Sequence, residues 1–290
     1  MANPTISVAN ASNRLDDRDL QRVIRAVNRQ LIEDFQPIWG RAWELMLHGS
    51  PTDFSDVGSL VEEPVRGEAV IYVVDESNLA GAAGYHALNA AELPYGFVFL
   101  LGDDWTITLS HEAMELVIDP TANVLAPGPD PRDHSNIVLH AYEVCDAVER
   151  TSYFVDDVRV SNFLTPQWFF PGNAPGTRND FLGVGVSSFD ATPDSHLGFF
   201  DLSANRWVTY LGTSGSIVPR FLGRAEHFCH VRHRPDEESV NAVLLDLQER
   251  PPECLQAKED TLRRMAGVTR TDRHSNVVAK LFDTGEAEAR

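Results

Sequence analysis

The sequence predicts an α+β fold, with a mixed sheet and packed helices in the N-terminal half and an irregular, β-rich C-terminal half. Three observations lead there. Residues 69–75, AVIYVVD, are dense in β-branched side chains and suit a central strand. Leu20, Val23, Ile24, Val27, Leu31 and Phe35 recur at the helical period and form one apolar stripe. Residues from about 164 to 223 are rich in aromatic, glycine and serine residues without helical period, as expected for irregular β structure.

Taken in order, TISVAN at 5–10 reads as a first strand, and Asp16 or Asp17 caps the helix that carries the stripe. Pro37 and Gly40 are expected to end that helix. Residues 42–47 suggest another strand, and the polar, proline-bearing stretch from Gly49 to Gly67 a surface loop. GAAGYH at 81–86 reads as a glycine-rich turn; it lacks the spacing of a phosphate-binding loop. PYGFVFLL at 94–101 reads as an edge-like strand that Pro94 can begin. Asp103 or Asp104 then caps a helix that Asp119-Pro120 closes, because a residue before proline disfavours the helical region.

Further on, residues 126–131 read as a proline- and glycine-rich loop, and 142–149 as either strand or helix. SYFVDDVRVSNF reads as a hairpin turning near Asp156 and Asp157. VNAVLLDLQER at 240–250 suggests a short helix before Pro251-Pro252, and the rest a charged tail. The expected organisation is therefore 1–160 as a metal-binding domain, 161–250 as a β-rich region packed on it, and 251–290 as the tail.

A formal net charge of -19 over 290 residues argues against nucleic acid or an anionic membrane as a partner, since both require clustered lysine and arginine. The N-terminal residues MANPTISVANAS have neither a basic start nor an apolar run, so no signal peptide is expected. Nor does any window approach the roughly 20 apolar residues of a membrane span. Three cysteines, Cys145, Cys229 and Cys254, without CxxC spacing point to reduced thiols rather than a disulfide framework. A cytoplasmic location is the expectation.

The chemistry concentrates in HEAME at 111–115. On a helix His111 and Glu115 share a face and can turn toward one ion, with Glu112 beside them. The spacing resembles that of HExxH metallopeptidases, with a glutamate in place of the second histidine. A carboxylate can ligate zinc but makes it a weaker Lewis acid. The strand–helix–strands–helix order over residues 5–160 resembles the zincin superfamily. LSHEAMELVIDP, AYEVCDAVE and VSNFLTPQWF also resemble a family of uncharacterised bacterial proteins. The zincin resemblance implies Glu112 as general base, the 94–101 strand as an edge for extended peptide, and a further ligand downstream. Glu143 is the first choice by that analogy and Asp119 the second. If 142–149 is a strand, Glu143 and Glu149 share a face; if helical, Glu143 and Asp146 do.

His86 is a candidate to line the cleft or stabilise an oxyanion, against the commoner role of a loop hydrogen bond. Tyr153 or Tyr142 can polarise a substrate carbonyl, against core packing. His227, His230 and His233 have spacing that suggests a second metal site or a basic surface strand. Cys145 reads as a buried thiol, and Ser187-Ser188 lacks the G-x-S-x-G setting of a serine hydrolase. The expected activity is metal-dependent, peptidase-like hydrolysis with zinc, calcium or manganese being the alternatives. The partner is a peptide or protein substrate. The rival expectations are a non-catalytic scaffold with a structural cation site, or a partner-binding module presenting FLTPQWFFPG on its surface.

Overall fold

A computed structural model describes residues 4–48, 67–77, 82–89, 93–174, 176–204 and 206–212, together with the strand backbones 218–220 and 230–233. The helix expected at 240–250, the tail from 251, His227, Cys229, Cys254 and most of the 49–67 loop lie outside the described residues. What is described is a mixed α/β arrangement with two large sheets, a two-stranded hairpin and few helices.

The first sheet runs in the order β13-β4-β5-β3-β1-β2. Its strands are β1 (Thr5–Asn10), β2 (Glu44–His48), β3 (Ala69–Val74), β4 (Ala82–Leu88), β5 (Pro94–Phe99) and β13 (His230–His233). β2, β1, β3 and β5 are mutually parallel, and β4 runs antiparallel to β5. β3 is central and buried along its whole length. Ala69, Ile71 and Val73 face the helices, while Val70, Tyr72 and Val74 join an aromatic layer with Tyr85, Tyr95, Phe97 and Phe99 on the opposite face. A strand buried on both faces has no polar alternation, which is why AVIYVV is apolar throughout.

Two expectations are corrected in this sheet. The 94–101 strand is not an edge: β5 pairs on one side with β3 and on the other with β4. GAAGYH is not a turn, since all but its first residue lie in β4. Gly84 serves close packing there, as the site geometry shows.

Helix α1 (Asp17–Gln30) starts as expected, with the Asp16 carboxylate accepting the Arg18 N–H at 2.7 Å. Its whole stripe from Leu20 to Phe35 is buried against the sheet. Pro37, however, does not stop it. A π turn at Leu31–Phe35 intervenes, in which the Gln36 N–H bonds Leu31 O, and α2 (Gln36–Trp39) follows. The wider turn accommodates a residue that has no N–H to give. Gly40 ends the helix at a φ of 71°, a left-handed conformation that costs glycine little.

Helix α3 (Trp105–Ile118) is buried all round from Ile107 to Val117. It packs on β3, β4 and β5 on one side and on β9 of a hairpin on the other. Asp104 holds the cap position but makes no side-chain cap, a further correction: its carboxylate pairs with Arg159 at 2.9 Å. The hairpin, β8 (Ser152–Val155) and β9 (Val158–Ser161), turns at Asp156 and Asp157 as its sequence indicates. Asp156 takes a φ of 53°, and both aspartates pair with arginines of α1.

The second sheet, β12-β11-β10-β7-β6, is antiparallel. Its strands are β6 (Leu125–Asp130), β7 (Asp133–Ala141), β10 (His196–Asp201), β11 (Arg206–Leu211) and β12 (Val218–Arg220), so it draws on both sides of residue 160. The expected loop at 126–131 is corrected to strand β6. Pro127 and Pro129 are compatible with it because β6 ends the sheet order and needs hydrogen bonds on one side only. Residues 142–149 are neither regular strand nor α-helix: a bend at Val144 and Cys145 leads into a 3₁₀ turn at Asp146–Val148.

FLTPQWFFPG belongs to the core. Phe163, Leu164, Trp168 and Phe169 are buried, and of its large hydrophobic side chains only Phe170 is exposed. The surface-presented partner segment is thereby removed as a reading. No helix among the described residues is long and apolar enough to cross a membrane.

Candidate metal centre

Four pieces of chain bring ionisable side chains into one buried cluster. α3 supplies His111, Glu112 and Glu115, β4 supplies His86, the 142–149 segment supplies Glu143, Asp146 and Glu149, and β10 supplies His196. All eight are at most 4% exposed. The local reasons differ. Along β4, His86 and Gly84 alternate with Tyr85 and Ala87, which join the aromatic layer, so His86 turns to the α3 side. The 142–149 segment is anchored by backbone bonds from Tyr142 N to Val124 O and from Leu164 N to Val144 O. The Cys145 N–H then donates to Glu115 Oε1 at 3.2 Å.

The groups alternate between imidazole and carboxylate. His86 Nδ1 lies 3.3 Å from Glu112 Oε2 and 3.6 Å from Glu115 Oε2, and its Nε2 lies 3.7 Å from Glu143 Oε2. His111 Nε2 lies 3.1 Å from Glu115 Oε2 and 3.2 Å from Asp146 Oδ1. His196 sits between two acids, with Nε2 3.2 Å from Asp146 Oδ2 and Nδ1 3.0 Å from Glu149 Oε1. Two triads have donor atoms within 4.8 Å of one another: His86, Glu115 and Glu143, and His111, Glu115 and Cys145.

Burial shapes the electrostatics. It is the largest cause raising the Glu112 and Glu115 carboxyls well above the ordinary carboxylate range, and the neighbouring acids add to it. Burial pushes Asp146 the same way, but His196 and His111 together hold it well below that range. His196 is the counterpart: burial disfavours its cationic form, yet Asp146 and Glu149 raise it well above an ordinary histidine. Five carboxylates face three imidazoles in this cluster, so a cation fits its charge as well as its donors. Nitrogen and oxygen donors together suit zinc or manganese.

Of the residues singled out from sequence, His86, His111, Glu112, Glu115 and Glu143 converge here. Asp119 is placed apart: its carboxylate accepts the Val124 N–H at 2.8 Å and the Thr121 hydroxyl at 3.2 Å, closing the turn after α3. Tyr153 is engaged elsewhere, donating to Asp34 at 2.8 Å and accepting from Gln30 at 3.0 Å. Tyr142 stacks on Phe169 with ring centroids 4.0 Å apart, a core role. Cys145 is a buried thiol that forms no disulfide. Sequence reasoning missed His196 altogether. Its one local signal is a histidine beside a buried serine at the start of an apolar strand, SHLGFF, which does not reveal its partners.

The fit of α3 against β4 depends on Gly84. A Cβ at that position would meet Thr108 Cγ2 at 2.5 Å and Glu112 Oε1 and Phe97 O at 2.8 Å. Gly84→Ala is therefore expected to destabilise the protein by about 1–3 kcal/mol through overpacking and to displace Glu112. Urea denaturation measures this, and an unchanged midpoint would show that α3 and β4 do not approach so closely.

No protein-family model matches the chain, and no curated protein or solved structure matches it either.

Proposed function

We propose that the chain is a metal-dependent hydrolase of a peptide or amide bond, with a metal centre built from His111, Glu115, His86 and Glu143. The observation that carries this reading is the convergence of those four side chains around α3 while a fifth group, Glu112, lies beside them outside both donor triads. A divalent ion bound there would lower the pKa of a bound water toward neutrality and polarise a carbonyl. Glu112 takes the proton of the attacking water and returns it to the leaving amine. His86, 3.3 Å away, orients that carboxylate. The resemblance of HEAME and of its strand order to zincins supports the same reading. With β5 interior to the sheet, the substrate-binding edge expected at 94–101 forms no part of it.

A second reading, a structural cation site in a non-catalytic protein, is favoured by one observation: no residue of the cluster is more than 4% exposed. Elemental analysis of the purified protein, beside a His111→Ala variant and a peptide-library assay, separates the two. Divalent metal diminished in the variant and turnover by the loaded protein are the expected results. Bound metal that raises the melting temperature, with no peptide cleaved, would instead favour the structural site. Absence of metal under every loading condition would remove both.

A further inference from the structure

We propose that the cluster holds two divalent ions, bridged by Glu115. This rests on the reading of the cluster as a metal centre and extends it from one position to two. The two donor triads have only Glu115 in common, and each brings its own histidine. Donors on one zinc-like ion lie at about 2.0–2.3 Å from it, and so within about 4.5 Å of each other. His86 and His111 appear in separate triads although each meets that closeness with Glu115. The Glu115 Oε2 atom lies between the two rings, 3.1 Å from His111 Nε2 and 3.6 Å from the Nδ1 side of His86, whose Nε2 faces Glu143 and is the donor on that side.

The first position takes His86, Glu115 and Glu143. The second takes His111, Glu115 and the Cys145 sulfur, and Asp146 Oδ1, 3.2 Å from His111 Nε2, adds a carboxylate beside them. Asp146 is held for this: its other oxygen meets His196 Nε2, and His196 is braced in turn by Glu149. Outer partners of this kind fix the orientation of a ligating carboxylate. His196 is a positioning residue.

The test is manganese(II) titration of the full-length protein after chelator stripping, followed by calorimetry, elemental analysis and electron paramagnetic resonance. About two ions per chain and an exchange-coupled spectrum are expected. His86→Gln and His111→Gln should each retain about one ion and lose the coupling, with circular dichroism confirming the fold. One ion per chain in the unaltered protein would overturn the second position and leave the hydrolase reading standing. Two uncoupled ions would overturn the Glu115 bridge. No bound manganese, with zinc also failing to bind, would bring down both proposals.

Discussion

Glu112→Gln is expected to lower hydrolysis by roughly 10²–10⁴-fold, the range that a positioned general base contributes, while bound metal stays at the level of the unaltered protein. The isosteric amide keeps the hydrogen bond across to His86 but cannot accept a proton. Glu112 belongs to neither donor triad, so metal content should not follow activity. Its environment suits the role: burial first, then Glu115, Asp146 and Glu143, lift its carboxyl well above the ordinary range, against the opposing pull of His111. A raised carboxyl exchanges protons closer to neutral pH than a solvated glutamate does. The measurement is kcat/KM on a cleaved library peptide with elemental analysis of the same samples. Undiminished kcat/KM would end the general-base assignment.

Acid should destabilise the protein through a group outside that cluster. His140 on β7 is buried among Trp168, Phe189 and Phe199, and its Nε2–H donates to Pro129 O at 2.9 Å. Burial, the largest cause, depresses its pKa from 6.5 to about 4, against smaller opposing effects of the Pro129 carbonyl and Asp130. The folded state therefore binds this proton less readily than the unfolded chain. The contribution to stability is complete above pH 6.5, falls as the pH drops from 6.5 toward 4, and is gone below that. At 1.36 kcal/mol per pKa unit the loss is about 3 kcal/mol. Urea denaturation of the protein and of His140→Gln across pH 4–7 measures it. The glutamine amide can still reach Pro129 O, and the variant's curve should be flatter in this window by that amount. Parallel curves would show that His140 is already accessible to protons in the folded state.

The features legible from sequence are those decided by nearest neighbours along the chain. The α1 stripe was readable because six apolar residues at helical spacing have one way to be buried together, and Asp16 because a cap is satisfied within its own first turn. The hairpin at Asp156 was readable for the same reason. HEAME was readable as a donor pair because residues four apart on a helix share a face whatever surrounds them. Of its surroundings, Glu143 was reached by analogy alone.

Where a segment's form depends on what lies beside it in space, sequence reading missed. Pro127 and Pro129 mark a loop until β6 is placed at the end of a sheet, where half of its backbone needs no partner. PYGFVF carries the same residues whether edge or interior, and only the pairing of β4 and β3 on its two sides made it interior. Asp104 has a cap residue's identity, but Arg159 arrives from the hairpin and takes its carboxylate.

The sequence by itself determined a histidine and a glutamate on one face of a helix, a second glutamate beside them and a mixed α/β architecture around them. The tertiary structure decided which distant side chains join that pair. His86 comes from a strand and His196 from a second sheet, brought in because antiparallel pairing and helix burial fix which face of each strand turns inward. Burial decided the rest, since carboxylates removed from water must be neutralised by whatever charges the fold sets next to them.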